Sequence, residues 1–129
     1  METNKLSVQA LQKKVPDDLG LAEKYYGILS VINNLRLTQR EIQLIAFTAI
    51  NGNMSYANIR EDFCKRYDTT PPTINNIISK LKKVKVLVKD RGKIKVNPVI
   101  LLKFDSDVTL TIRLINDKLT KSIKETKDV

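Results

Sequence analysis

The stretch of sequence that decides the fold is residues 70–98, which read TPPTINNIISKLKKVKVLVKDRGKIKVNP. Proline is accommodated in the first turn of a helix, where its missing N–H has no partner to lose, so Pro71 and Pro72 predict a helix that Thr70 caps. The pattern predicts that this helix buries one stripe and ends near residues 84–85. Its inner face is formed by apolar residues at helical spacing, namely Ile74, Ile77, Ile78 and Leu81.

A short basic hairpin is predicted directly after this helix. Residues 86–88 are rich in β-branched side chains, and residues 93–96 alternate between lysine and an apolar side chain. Between them, Asp-Arg-Gly at 90–92 is a turn signal in which Gly92 is free to take a positive φ. We expect two antiparallel strands with basic side chains along the outer face, ended by Pro98.

Three helices are predicted before this unit. The first follows the apolar spacing of residues 21–35. The second begins at a capping box, in which Thr38 and Glu41 each bond the other's backbone amide. It is apolar on all sides, which indicates a central helix, and Asn51-Gly52-Asn53 supplies a left-handed stop. The third runs from a cap at Ser55 to about residue 66, and its inward residues are expected to be Ile59, Phe63 and Cys64.

The C-terminal segment leaves two interpretations open. Apolar and polar residues alternate over 108–115, which predicts a strand that pairs with residues 99–104 across a turn at 105–107. The same stretch also carries apolar residues at helical spacing. The β-branched content favours the strand, followed by a polar helix or a frayed end.

These elements divide the chain into three parts. Residues 1–18 form a polar arm, residues 19–98 form the folded domain, and residues 99–129 form an apolar extension. A homodimer through residues 99–119 is one expected use of the apolar surface in that extension.

Basic charge is concentrated in one segment. The chain carries 23 Lys and Arg against 14 Asp and Glu, a net charge of +9. Residues 71–95 alone hold eight basic residues and one acidic residue, a net of +7, whereas residues 1–70 and 96–129 each have a net of +1. A local positive field is typical of a surface that binds polyanions. A lysine-rich solvated surface without a partner is the alternative interpretation.

Several classes of chemistry are excluded by composition. Histidine is absent and Cys64 is the only cysteine, which excludes a Cys/His zinc site and thiolate–imidazole catalysis. The four glycines are isolated, so no phosphate-binding loop is present. We therefore expect no enzyme activity, no catalytic or metal-binding residue, no cofactor and no small-molecule effector.

The sequence also carries no membrane signal. The longest apolar run, residues 99–102, is too short to cross a bilayer, and no signal peptide opens the chain. We expect a soluble protein in the cytoplasm, or in a virion if a phage encodes it.

The order of the predicted elements resembles the winged helix-turn-helix of DNA-binding proteins. Residues 73–83 are similar to the recognition helix of that superfamily, and residues 86–89 and 92–96 resemble the strands of its wing. Within the superfamily, the ending Ile94–Pro98 resembles that of small plasmid replication initiators. Leu37–Glu41 is similar to the helix start of MarR-type regulators.

This resemblance covers residues 38–98, about half of the chain. It implies an α+β, mostly helical fold: a winged helix-turn-helix with an N-terminal helical extension and a C-terminal apolar tail that is either strand or helix. It also implies double-stranded DNA as the partner. Lys85 departs from the pattern because glycine is common at this place, so Lys85 must take a positive φ or the helix must end differently.

The resemblance assigns DNA contacts to the outward face of the recognition helix and to the wing. Asparagine can bond N6 and N7 of adenine, serine bonds most base edges, and lysine meets guanine or a phosphate. Wing lysines and arginines suit the DNA backbone or the minor groove. The opposing interpretation is that each is merely a tolerated surface residue. The residues expected to contact DNA are Thr73, Asn75, Asn76, Ser79, Lys80, Lys83, Lys89, Arg91 and Lys93.

The sequence thus predicts a non-enzymatic winged-helix DNA-binding protein, a transcription regulator or replication-associated factor of a mobile element or phage. The alternative is a structural or assembly protein, such as a virion or replisome component, that uses the same fold to bind proteins. The concentrated charge favours DNA, whereas the apolar extension favours a protein partner.

Overall fold

The computed structural model describes residues 15–118. Within this range, four helices precede a two-stranded antiparallel hairpin, so the predicted α+β, mostly helical class is confirmed. The order of elements is compatible with a winged helix. Residues 1–14 of the predicted arm, and residues 119–129 of the extension, lie outside the described range. The elements are α1 (Asp18–Ile32), α2 (Gln39–Asn51), α3 (Ala57–Tyr67), α4 (Pro71–Lys83), β1 (Leu87–Asp90), β2 (Lys93–Val96) and a 3₁₀ turn (Pro98–Ile100).

Helix α2 is the centre of the structure, as its all-round apolar sequence predicts. It packs against α1 on one side and also contacts α3, α4 and β2. The predicted capping box is confirmed: the Thr38 hydroxyl accepts from the Glu41 amide at 3.2 Å, and Glu41 Oε1 accepts from the Thr38 amide at 2.8 Å. Gly52 ends the helix in the left-handed region, with a φ of 85°. The buried residues of α2 include Leu44, Ile45, Ala46, Phe47 and Thr48.

Helix α4 buries the predicted stripe and no other residue, and its buried side chains are Ile74, Ile77, Ile78 and Leu81. Thr70 stands at the predicted cap position, but its hydroxyl bonds the Thr73 hydroxyl at 3.0 Å instead of a helix amide. After the last turn, Lys85 takes a positive φ of 66°. Asn97 holds this strained residue in place, because its side-chain amide donates to the Lys85 carbonyl at 2.8 Å.

The hairpin closes with a tight two-residue turn. Arg91 and Gly92 both have positive φ, 53° and 79°, which is the conformation of a type I′ turn. Directly paired residues of an antiparallel ladder share one face, and Lys89 pairs with Ile94, which is buried. The prediction that basic side chains lie on the outer face is therefore confirmed for Lys93 and Lys95. Lys89 instead lies on the inner face, at its tip.

Ser55 does not cap α3, contrary to the prediction. The cap position is Tyr56, which makes no side-chain capping bond. The Ser55 hydroxyl instead accepts from the Ile94 amide at 2.7 Å, and the Met54 amide donates to the Ile94 carbonyl at 2.9 Å. The segment before α3 thus lies along β2. The Ser55 hydroxyl bonds the hairpin and not the first turn of α3, where the sequence predicts it.

The predicted strand at 108–115, with its pairing to 99–104, is wrong: residues 101–116 contain neither helix nor strand. The extension instead folds back over α1, where Phe104 is buried and its ring lies 5.6 Å from Tyr25 and 5.7 Å from Tyr26. Burial raises the pKa of Tyr26, and its hydroxyl donates to the Ile100 carbonyl at 2.9 Å. An alternating pattern forms a strand only beside a partner strand, and residues 108–115 pair with no strand in the described part of the chain.

Candidate nucleic-acid interface

The exposed face of α4 carries three of the predicted contact residues side by side. Asn76, Ser79 and Lys83 are three and four positions apart, which places them on one face of the helix, opposite the buried stripe. All three are exposed, and none makes a side-chain hydrogen bond or ion pair with any residue between 15 and 118. This face therefore offers two neutral hydrogen-bonding groups and one cation to an external partner.

Lys80, also predicted to contact DNA, forms an ion pair with the nearly buried Glu41 of α2. Its ammonium lies 2.8 Å from Oε2 of Glu41, whose side chain is only 8% exposed. Burial alone would raise the pKa of Glu41, but hydrogen bonds from Lys80 and from the Thr38 amide outweigh it, so the pKa lies below its ordinary value of 4.5. The pair ties α4 to the start of α2, so Lys80 fixes the orientation of α4 and its charge is already compensated.

Replacing Glu41 by glutamine tests this tie through its pH dependence. A carboxyl whose pKa is lowered on folding stabilises the protein above its ordinary pKa, and this stability is lost as the pH falls through the lowered value. We expect Glu41→Gln to be less stable at pH 7 by about 1–2 kcal/mol, because it leaves Lys80 without its charged acceptor. Its stability should also fall less steeply than that of the wild type below pH 4.5. Urea unfolding at a series of pH values measures both effects, and parallel curves for the two proteins would contradict the assignment.

Asn75 has a partner that the sequence does not reveal. Its Oδ1 accepts from Nη1 of Arg60 at 2.8 Å, and Nε of the same arginine donates to the Met54 carbonyl at 2.9 Å. Since arginine has no acceptor, the carboxamide oxygen must face Arg60 and the amide NH₂ must face away. Asn75 and Asn76 therefore differ: only Asn76 keeps both its donor and its acceptor free.

The hairpin contributes further cations. Lys89 and Arg91 are exposed and make no ion pair within the described range, whereas Lys95 pairs with Asp90 at 3.3 Å. The ammonium of Lys93 lies 5.0 Å from the ring centre of Tyr56, a cation–π contact that leaves its charge in place. Two of the eight basic residues of 71–95 are thus paired within residues 15–118. The other six are Lys82, Lys83, Lys85, Lys89, Arg91 and Lys93.

Sequence reasoning missed Arg60, and the structure gives Ser55 and Tyr56 partners within the chain. The Ser55 hydroxyl accepts a hydrogen bond from Ile94 of β2, and the Tyr56 ring makes a cation–π contact with the Lys93 ammonium. No local signal indicates Arg60, because its partner Asn75 lies 15 positions away and the two meet only when α3 packs on α4. Thr73, the remaining predicted contact, is half-buried and bonds Thr70.

The structure offers little for other kinds of site. Over residues 15–118, no group of histidine, cysteine, aspartate and glutamate could hold a metal ion, and no helix is long and apolar enough to cross a membrane. A groove of about 850 Å³ lies on α1 and is lined mainly by apolar residues that include Ile28, Val31, Ile42 and Ile112.

Comparisons with protein-family models, with curated proteins and with solved structures find no match to this chain.

Proposed function

We propose that this chain is a winged-helix protein that binds double-stranded DNA, with α4 in the major groove and the hairpin against the sugar–phosphate backbone or the minor groove. One observation carries the proposal: six cations without an acidic partner in residues 15–118 lie in the same segment as a face of α4 whose polar side chains are free. Phosphate contacts hold such a protein in register, while groups on the helix read base edges.

A role in helix stability accounts for only part of this charge. Lys82 and Lys83 lie in the last turn of α4, where cations interact favourably with the helix dipole. That effect does not extend to Lys89, Arg91 and Lys93, which lie on the hairpin. Binding to a phosphate backbone would account for the hairpin cations.

The proposed biological role rests on the sequence resemblances. The wing ending similar to plasmid replication initiators and the helix start similar to MarR-type regulators support a transcription regulator or replication-associated factor of a mobile element or phage. The site of action would be the cytoplasm, or a virion for a phage protein. We propose no enzymatic step, because the α4 face and the hairpin offer hydrogen bonds and charge alone.

Asn76→Ala tests whether α4 reads sequence. Asn76 is neutral and exposed, so its removal should leave stability, nonspecific binding and the salt dependence unchanged. On the preferred site alone we expect a loss of about 1–3 kcal/mol, the value of one good base contact. The measurement is the ratio of affinities for a site selected from a random duplex pool and for scrambled DNA, at one salt concentration.

Asn33→Ala is the matched control, because Asn33 is also an exposed asparagine but stands at the end of α1. It should leave the ratio at the wild-type value. If Asn76→Ala also leaves the ratio unchanged, or if no preferred site emerges, α4 is a charged docking surface and does not read sequence.

A second candidate function, docking of a protein partner in an assembly, is favoured by the apolar surface. No charged residue occurs between Lys24 and Arg36, and Val31 on this stretch is 82% exposed. In the extension, Leu114 is 92% exposed, so residues 99–119 offer surface for a homodimer or another protein. A chain that self-associates but binds no duplex at low salt would establish this candidate in place of the first.

A further inference from the structure

The side chains of Arg60 and Asn75 form a single unit at the junction of α3 and α4. Arg60 is half-buried and fixed at two points, by the Met54 carbonyl through Nε and by the Asn75 oxygen through Nη1. The Met54 peptide is itself fixed, because its amide donates to Ile94 of β2. Arg60 therefore does not need to be ordered when a partner binds, which removes one entropic cost of recognition.

The unit presents more donors than acceptors, because Arg60 already occupies one lone pair of the Asn75 oxygen. A guanidinium has five N–H groups, and the bonds to Met54 and Asn75 use two of them. The NH₂ group of Asn75 adds two more donors, while its oxygen is already bonded to a cation. Adenine offers these donors one acceptor, N7, and places its N6 amino group, itself a donor, beside it. Guanine offers O6 and N7, two acceptors in one plane.

We propose that Arg60 and Asn75 together recognise the O6/N7 edge of a guanine in the major groove. This inference rests on the proposed DNA-binding function and deepens it by naming a base. Asn75 precedes Asn76 by one residue on α4, so the guanine would lie beside the base that Asn76 contacts. In this arrangement Asn75 donates to guanine through its amide NH₂ and does not act as the bidentate adenine reader that its sequence alone allows.

A phosphodiester oxygen is also an acceptor, and the experiment must separate it from guanine. The full chain is used to select a preferred duplex from a random pool, and each guanine of that site is then replaced singly by 7-deazaguanine. This base lacks the N7 acceptor but keeps the backbone unchanged. For the wild type, we expect one position at which the replacement lowers affinity roughly tenfold.

The variants Asn75→Ala and Arg60→Lys complete a double-mutant cycle. Arg60→Lys keeps the positive charge but loses the planar fork of donors. Both variants should bind the selected site about tenfold more weakly, and in both the 7-deazaguanine at that position should have no additional effect. Asn33→Ala should retain the full response. Thermal melting establishes that each variant is folded, which the exposed position of Asn75 favours.

Three results would overturn the inference. If no 7-deazaguanine lowers the affinity, the unit does not bind N7. If both variants weaken all duplexes equally and reduce the salt dependence, the unit binds phosphate. If the wild type binds no duplex at low salt, the proposed function fails together with the inference, and this outcome is distinguishable from the first two because no site is ever selected.

Discussion

The double variant Lys83→Glu/Arg91→Glu is expected to lose duplex affinity on the order of a hundredfold at low salt, because each substitution removes a phosphate contact and adds a repelling charge. Lys83 lies on the exposed face of α4 and Arg91 at the tip of the hairpin, and neither takes part in an ion pair within residues 15–118. Lys83→Glu loses a favourable interaction with the dipole of α4, a cost of about 1 kcal/mol, so the variant should remain folded. The logarithm of the binding constant falls linearly with the logarithm of salt concentration, and the slope should shrink by about two, one unit for each lost contact.

The control for this variant is Lys65→Glu/Lys103→Glu. It changes the net charge by the same amount, from +9 to +5, since each Lys→Glu change removes two units of charge. Both lysines are exposed and lie outside segment 71–95. If the two double variants lose affinity equally, total charge and not a local surface governs binding, and the proposed interface is wrong.

Phe104→Ala is expected to destabilise the protein by about 3 kcal/mol or more, the usual cost of removing a buried phenylalanine from a packed core. Phe104 is only 4% exposed and packs on both tyrosines of α1, so its removal leaves a cavity that the extension cannot fill. For a chain of this size, such a loss corresponds to a decrease in Tm of about 10 °C. Calorimetry or thermal melting followed by circular dichroism measures it.

Val99→Ala is the matched control in the same extension. Val99 is 88% exposed, and its truncation should change stability by no more than about 0.5 kcal/mol. Equal melting temperatures for Phe104→Ala and the wild type would show that the extension is not part of the core. The apolar residues of 99–115 would then belong to an interface with another chain.

The elements that the sequence predicts well are those whose signals are local. The Thr38–Glu41 capping box spans four residues, and the stripe that begins at Ile74 repeats within a single helix. In each case, the residues that make the structure are close in sequence, so their spacing alone carries the information.

The features that sequence reasoning missed depend on contacts between distant parts of the chain. Ser55 bonds Ile94 across 39 positions, and Glu41 bonds Lys80 across the same separation. A serine before a helix gives the same local sequence pattern whether its hydroxyl caps the helix or bonds a strand. Likewise, the sequence does not distinguish Asn75 from Asn76. Only the folded structure shows that Arg60 donates a hydrogen bond to the side-chain oxygen of Asn75.

The closure of the extension over α1 has a consequence for synthesis of the chain. The bond from Tyr26 to Ile100 joins residues 74 positions apart. At a translation rate of about 5–20 residues per second, Ile100 is added roughly 4–15 s after Tyr26. During that interval the nascent chain has no segment of its own to cover the tyrosine face of α1. The order of translation, and not the stability of any helix, therefore determines when this part of the core can close.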